Sequence, residues 1–266
     1  MSASHNVLPG LCSITFRQLD ADEVIREAAA AGVCGIEWGG DVHARPGDLV
    51  GARAIAARCA DAGVAVPSYG SYLRLDDDEP VGDAEAVLDT AEALGTANIR
   101  VWAGRKGPGE ATPEGAKRIA ARLRSLAEAA AARSCTVSVE YHRGTLTETA
   151  ASAMRLLRVA EHPNLFCYWQ PVPERTEEQW LTELRVLQPA LSHLHAFHWL
   201  PGNDRRPLVE GKAYWRRMLA AFTPSPRWRS PAFAFLEFVA GDSVGQFRED
   251  MAVLREVCGG QAAYRA

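Results

Sequence analysis

Residues 20–38 read "DADEVIREAAAAGVCGIEW", and this stretch decides how the rest of the chain is read. Asp20 or Asp22 serves as a helix N-cap, because a short carboxylate accepts the free N–H groups of a first turn. Residues 21–31 carry helical spacing, and Gly32 stands where a left-handed residue closes a helix. The apolar run "CGIEW" (34–38) follows at once and reads as a strand. Residues 59–69, "CADAGVAVPSY", repeat the design with Gly63 in the place of Gly32.

Outward from these two units the alternation continues. Further strand-like runs are "CSITF" (12–16), "NIRVW" (98–102), "TVSVEY" (136–141), "LFCYW" (165–169), "LSHLHAF" (191–197) and "AFAFLEF" (232–238). Helical segments are expected at 48–62, 82–94, 113–133, 147–161, 176–187, 212–222 and 243–257. Asp48, Thr112-Pro113, Thr147 and Thr176 supply their start signals. Eight strand–helix units in an unbroken series over 266 residues predict one (β/α)₈ TIM-barrel domain spanning 1–266. A doubly wound open sheet fits less well, with eight units and no G-x-G-x-x-G turn.

Composition excludes several function classes. A net charge of −4 argues against the broad basic footprint of a nucleic-acid binder. Six cysteines are scattered without a C-x-x-C pair, which suits reduced thiols in a cytoplasmic protein better than disulfides or zinc-thiolate sites. The N-terminal residues lack the pattern of a signal peptide, and no apolar run approaches the ~20 residues of a membrane span. The expected partner is a small molecule, and the reading allows a homo-oligomer.

A barrel reading places functional groups at the C-terminal strand ends, pointing inward. Alternation puts Thr136, Ser138 and Glu140 on one face of the fifth strand, and Phe233, Phe235 and Glu237 on one face of the eighth. Phe166, Tyr168 and Gln170 share a face of the sixth. His193 and His195 share a face of the seventh, with His193 one layer deeper as a structural residue and His198 out of register at the pocket mouth. Taken singly, each Glu is an ordinary solvated loop residue and each His a satisfied core residue. Taken together, Glu140, Gln170, His195 and Glu237 offer two carboxylates, an amide oxygen and an imidazole on one rim. That set suits Mn²⁺, Mg²⁺ or Co²⁺.

The stretches "GIEWGGDVH" (35–43), "RVWAG" (100–104), "VEYHRGTLTET" (139–149), "HPNLFCYWQP" (162–171), "LHAFHW" (194–199) and "FLEFV" (235–239) resemble the sugar phosphate isomerase/epimerase group. That group belongs to the xylose isomerase-like TIM barrel superfamily. The resemblance implies a divalent metal held from strands five to eight by Glu140, the residue at 170, His195 and Glu237. Position 170 is Gln where the family usually has Asp, so the ligand charge falls by one. The abasic-site endonucleases of the superfamily need a trinuclear zinc cluster. Glu37, Tyr69, Trp102 and Gln170 at the corresponding strand ends do not supply it.

Such a site supports proton abstraction beside a carbonyl. Glu140 and Glu237 are expected to alternate as acid and base across a metal-bound cis-enediolate, as in an isomerase or epimerase of a small sugar or keto-polyol. The alternative is a lyase on the same scaffold, a dehydratase or C-glycoside-cleaving subunit, which expels a group from the enolate. Candidate substrate contacts are Glu37, Trp102, His142, His198 and Arg205, with Arg206 competing for the last place; Arg74, Arg105 and Arg143 read as ordinary loop cations. In the loop after strand eight, Asp242 is expected to cap the last helix and repel a phosphate, so the substrate is expected to be unphosphorylated.

Overall fold

The computed structural model describes residues 7–76 and 84–260. Strands β1 (Val7–Cys12), β2 (Gly35–Gly39), β3 (Ala65–Arg74), β4 (Asn98–Trp102), β5 (Thr136–Val139), β6 (Leu165–Trp169), β7 (Leu191–Ala196) and β8 (Ala232–Leu236) run parallel. Each pairs with its sequence neighbours, and β8 closes the barrel on β1 through pairs such as Leu11 with Leu236. Helices α1 (Ala21–Ala31), α2 (Leu49–Asp61), α3 (Ala84–Leu94), α4 (Pro113–Ala132), α5 (Ala150–Ala160), α6 (Glu177–Leu187), α7 (Lys212–Ala221) and α8 (Val244–Val257) pack outside it. A two-residue antiparallel ribbon, Trp199–Leu200 with Asp204–Arg205, follows β7.

Local chemistry explains the boundaries. Asp20 forms a reciprocal capping box with Glu23, and Gly32 closes α1 at φ 73°. Asp48, Thr112 and Thr176 cap their helices as expected. The fifth helix starts later than its sequence suggests: Thr149, not Thr147, is its cap, because Thr147 Oγ1 bonds the Glu140 carbonyl. Residues 82 and 83 of the third helical segment lie outside the described residues.

The first strand needs a larger correction. It is Val7–Cys12, while Ser13–Phe16 of "CSITF" forms a short 3₁₀ turn. Pro9 and Gly10 disguise this strand, yet Gly10 is required there. A Cβ at position 10 would lie 2.5 Å from the Phe235 ring. The barrel interior is filled by Phe233 stacked on Phe235 (5.4 Å) and by Tyr168 stacked on Phe235 (6.2 Å).

Around this aromatic plug lies a polar layer that is largely closed on itself. Asn98 donates to Ser68 (3.0 Å) and Tyr168 (3.1 Å), and accepts from Ser138 (2.9 Å) and Thr136 (2.9 Å). His193 is fully buried and accepts the Phe233 N–H at Nδ1 (3.0 Å). Burial pushes its pKa down to about 3, so it is a neutral structural group. All six cysteines are free. Among the described residues no helix is long and apolar enough to cross a membrane.

Candidate active site

Above that layer the barrel holds charge. The parallel ladder runs one residue past two strands, where Glu140 N donates to Val101 O (3.0 Å) and Glu237 N to Ala196 O (3.0 Å). Backbone bonds therefore fix both glutamates at the rim with their side chains inward. His195 Nδ1 lies 3.1 Å from Gln170 Oε1, 3.4 Å from Glu237 Oε2 and 3.8 Å from Glu140 Oε1. Its other nitrogen, Nε2, lies 3.2 Å from Glu37 Oε1. The alternation in the sequence thus brings the four candidate donors to one point.

Two neighbours escaped the sequence reading. Arg100, 1% exposed, donates through Nε to Glu37 Oε1 (2.8 Å) and through Nη1 to Glu140 Oε2. Gly70 makes room for it, since a Cβ there would lie 2.6 Å from Arg100 Nη2. Cys12, the last residue of β1, groups its Sγ with His195 and Glu237 donor atoms, all within 4.8 Å of one another. Arg100 had a signal: alternation along "NIRVW" faces Asn98, Arg100 and Trp102 the same way. Cys12 had none while the first strand was misplaced.

The electrostatics are those of an unbalanced site. Glu37, Glu140 and Glu237 bring three carboxylates against one guanidinium, all almost fully buried. Burial would raise the Glu37 pKa, but Arg100 and His195 outweigh it and hold the carboxyl well below the usual range. Burial opposes charge on His195, yet Glu237 and Glu37 raise its pKa. Glu237 itself is raised, first by burial and then by Glu140, against the pull of His195. Of the charged groups in this cluster, Glu37 Oε2 and Arg100 Nη2 have no hydrogen-bond partner among the described residues.

These residues fit a divalent cation. Ligand atoms around one ion with bonds of about 2.1 Å lie about 3 to 4 Å apart, the spacing of three oxygens about His195 Nδ1. A charge of +2 would also balance the excess of two carboxylates over Arg100, where buried unpaired charge is costly.

The other sequence candidates are dispersed. Glu37 is completely buried under Arg100 and His195, so it acts through them rather than as a pocket wall. Trp102 and His142 sit together at the rim, ring centroids 4.4 Å apart. His198 packs on Tyr214 of α7, 5.5 Å between rings. Arg205 is engaged by Asp242 (2.6 Å). Asp242 therefore does not cap α8; Ser243 does, accepting from Gln246 N (3.4 Å). Beside Gln170 a narrow cleft is lined by His142, Pro171, Phe197 and Trp199. Larger hollows lie between α4 and α5 and at the N-terminal barrel end, but neither contains the carboxylate, imidazole and guanidinium cluster.

Barrel and rim define the class: a TIM barrel with a buried charged cluster at the C-terminal strand ends, where TIM-barrel enzymes carry their chemistry. The chain belongs to the xylose isomerase-like TIM barrel family, whose model matches residues 25–257. It is 31% identical to the 3-dehydroshikimate dehydratase of Bacillus anthracis over 93 residues, covering 35% of this chain and 33% of that relative. The match therefore spans a third of the relative's length. In structure it resembles the probable 3-DHS dehydratase AsbF of Bacillus anthracis, with TM-score 0.73, 22% identity, and coverage of 93% of this chain and 98% of that one. It also resembles a D-allulose 3-epimerase from Methylomonas sp., with TM-score 0.69, 14% identity, and coverage of 97% and 100%. A Mycobacterium smegmatis protein of the same barrel type, in complex with magnesium, aligns with TM-score 0.68, 16% identity, and coverage of 98% and 99%.

Proposed function

We propose that this protein is a metal-assisted dehydratase of a small hydroxylated cyclic ketone, with 3-dehydroshikimate as the model substrate. The observation that carries this reading is the asymmetry of the two rim glutamates. Glu140 shares Oε2 with the Arg100 guanidinium, whereas Glu237 has only the His195 imidazole as an ion-pair partner among the described residues. One glutamate is thus held by a cation and the other is free to carry a proton. Glu237 removes the proton beside the carbonyl, and the C–H pair becomes the new C=C bond. The same proton then leaves with the β-hydroxyl as water. Arg100 keeps Glu140 and Glu37 in place during this cycle. Glu140, Gln170, His195 and Glu237 would hold a divalent ion, which supplies Lewis-acid polarisation of the carbonyl.

The second reading is the isomerase or epimerase of a small sugar. It is favoured by one distance pair: Glu140 Oε1 and Glu237 Oε2 both face His195 Nδ1, at 3.8 and 3.4 Å. Two carboxylates flanking one carbon would serve a two-base proton exchange. The substrate in either case is unphosphorylated, which is supported by Arg205 being held by Asp242.

The deciding experiment incubates Mg²⁺- or Mn²⁺-loaded protein with 3-dehydroshikimate and, separately, with ketoses in D₂O. The expected result is an aromatic dihydroxybenzoate product from the first and no C–H exchange in the second. Exchange in a ketose with no aromatic product would replace the dehydratase reading by the epimerase reading.

A further inference from the structure

Arginines crowd the loops at the C-terminal end of the barrel, and almost all are neutralised. Arg17 pairs with Asp41, Arg105 with Asp76, Arg143 with Glu174, Arg205 with Asp242 and Arg206 with Glu210. Arg74, the last residue of β3, is different. Its guanidinium lies 3.9 Å from the centre of the Trp102 ring, and its Nη1 donates to Gly104 O at 3.3 Å. Among the described residues no carboxylate pairs with it. The side chain is half-buried, and burial, with Arg105 nearby, lowers its pKa.

Arg74 is also connected to the chemistry. Trp102 beneath it is 4.4 Å from the His142 ring and 6.1 Å from the Tyr72 ring, and Tyr72 in turn covers Arg100 at 5.5 Å. A continuous wall of rings therefore leads from the charged donors to Arg74. Tyr72 holds its place with φ at 59°, a backbone state that non-glycine residues adopt sparingly and that clusters at ligand sites.

We propose that Arg74 is a specificity residue that receives a carboxylate of the substrate while the carbonyl end lies at Glu140 and Glu237. The proposal deepens the dehydratase reading and rests on it. A guanidinium has five N–H donors in a planar fork, and among the described residues only one of Arg74's is used. Stacking on Trp102 fixes the plane of that fork, which suits a planar carboxylate held at two points. Arg105 beside it is already taken by Asp76, so the Arg74 fork is the one left, stacked and in line with the rings, for a negative charge on the substrate. A neutral ketose would leave Arg74 covered by substrate and unpaired, a desolvation cost without return. The residue thus separates a cyclic keto acid from a free sugar.

The test uses two ligands that cannot react, 3,4-dihydroxybenzoate and catechol, titrated calorimetrically into Mg²⁺-loaded protein. Both carry the vicinal oxygens that the donor layer would recognise, and only the first carries the carboxylate. Wild-type protein should bind the acid about ten- to 100-fold more tightly, the range for a hydrogen bond to a charged group. Arg74→Gln should reduce that preference to less than about threefold with catechol affinity unchanged. Arg74→Lys should keep part of the preference, because it retains charge without the fork. Thermal melting of Arg74→Gln should match wild type, as the residue makes a single long hydrogen bond among the described residues. Equal binding of acid and catechol by wild type, or a preference that survives in Arg74→Gln, would overturn the assignment of Arg74 alone. Binding of neither compound would overturn the dehydratase reading and this assignment with it.

Discussion

Two polar layers lie inside one barrel, and they follow opposite rules. The lower one, built on Asn98, Ser68, Tyr168, Ser138 and His193, is neutral and bonds mainly to itself. The upper one, built on Glu37, Arg100, Glu140, His195 and Glu237, carries more negative charge than it neutralises; among the described residues each layer has unpartnered atoms, His193 Nε2 in the lower and Glu37 Oε2 and Arg100 Nη2 in the upper, but only the upper ones belong to charged groups. A buried polar network that closes on itself specifies a fold. One that leaves charge over is strained in the free protein and completes itself on a ligand. Burial alone does not separate the two layers; the balance of charge does.

Breaking the upper layer should cost activity without costing stability. Glu237→Gln is expected to lower turnover about 10²–10⁴-fold, the usual contribution of a positioned acid or base. Its metal-free melting temperature should stay level or rise, because a buried carboxylate that faces Glu140 and has only the His195 imidazole as an ion-pair partner among the described residues has been removed. Steady-state kinetics together with calorimetry check both halves. A large drop in melting temperature would mean that Glu237 belongs with the structural layer.

The lower layer should instead reveal itself through pH. His193 is held at a pKa of about 3, whereas the unfolded chain binds its proton near the ordinary histidine value of about 6.5. The native state therefore binds fewer protons in this window, so stability is present above about pH 6.5 and falls as pH drops toward 3. The slope for this one group is about 1.4 kcal/mol per pH unit. His193→Gln keeps an acceptor for the Phe233 N–H and should remove that slope. Denaturant titrations of both proteins between pH 7 and 4 provide the measurement, and parallel curves would count against the buried neutral imidazole.

The smallest expected effect sharpens the charge argument. Gln170→Asp adds a third negative donor beside His195 and should tighten divalent-metal binding on the order of tenfold, since affinity follows ligand charge. In the metal-free protein the same change adds to an existing excess of negative charge and should lower the melting temperature. A chelator competition and paired melting curves read both. Unchanged affinity would place residue 170 outside the ligand set.

The pattern of helices was legible because Ala-rich periodicity, Asp and Thr caps and closing glycines all agree. Rim positions 140, 170, 195 and 237 were legible because strand alternation is strict and each sits at a strand end. What stayed hidden depended on partners distant in sequence. Gly10 looks like a strand breaker until Phe235 is seen to occupy its side-chain space. Arg100 looks like a stray charge in an apolar run until Glu37 and Glu140 are seen on either side. Arg74, read as a loop cation, becomes distinctive only once Arg105 proves to be paired with Asp76 while Arg74 has no carboxylate among the described residues.

Arg100 also divides the barrel into two halves with different tasks. The four candidate donors lie between Glu140 and Glu237, on or just past the C-terminal ends of β5 to β8, while Glu37 and Arg100 stand on β2 and β4. The first half of the chain thus carries the counter-charge and the Arg74 anchor, and the second carries the donors. Substrate preference can then drift by changes in β2 to β4 with the ion's donors untouched. An exchange of half-barrels between members of this fold would transplant selectivity without rebuilding the reactive centre.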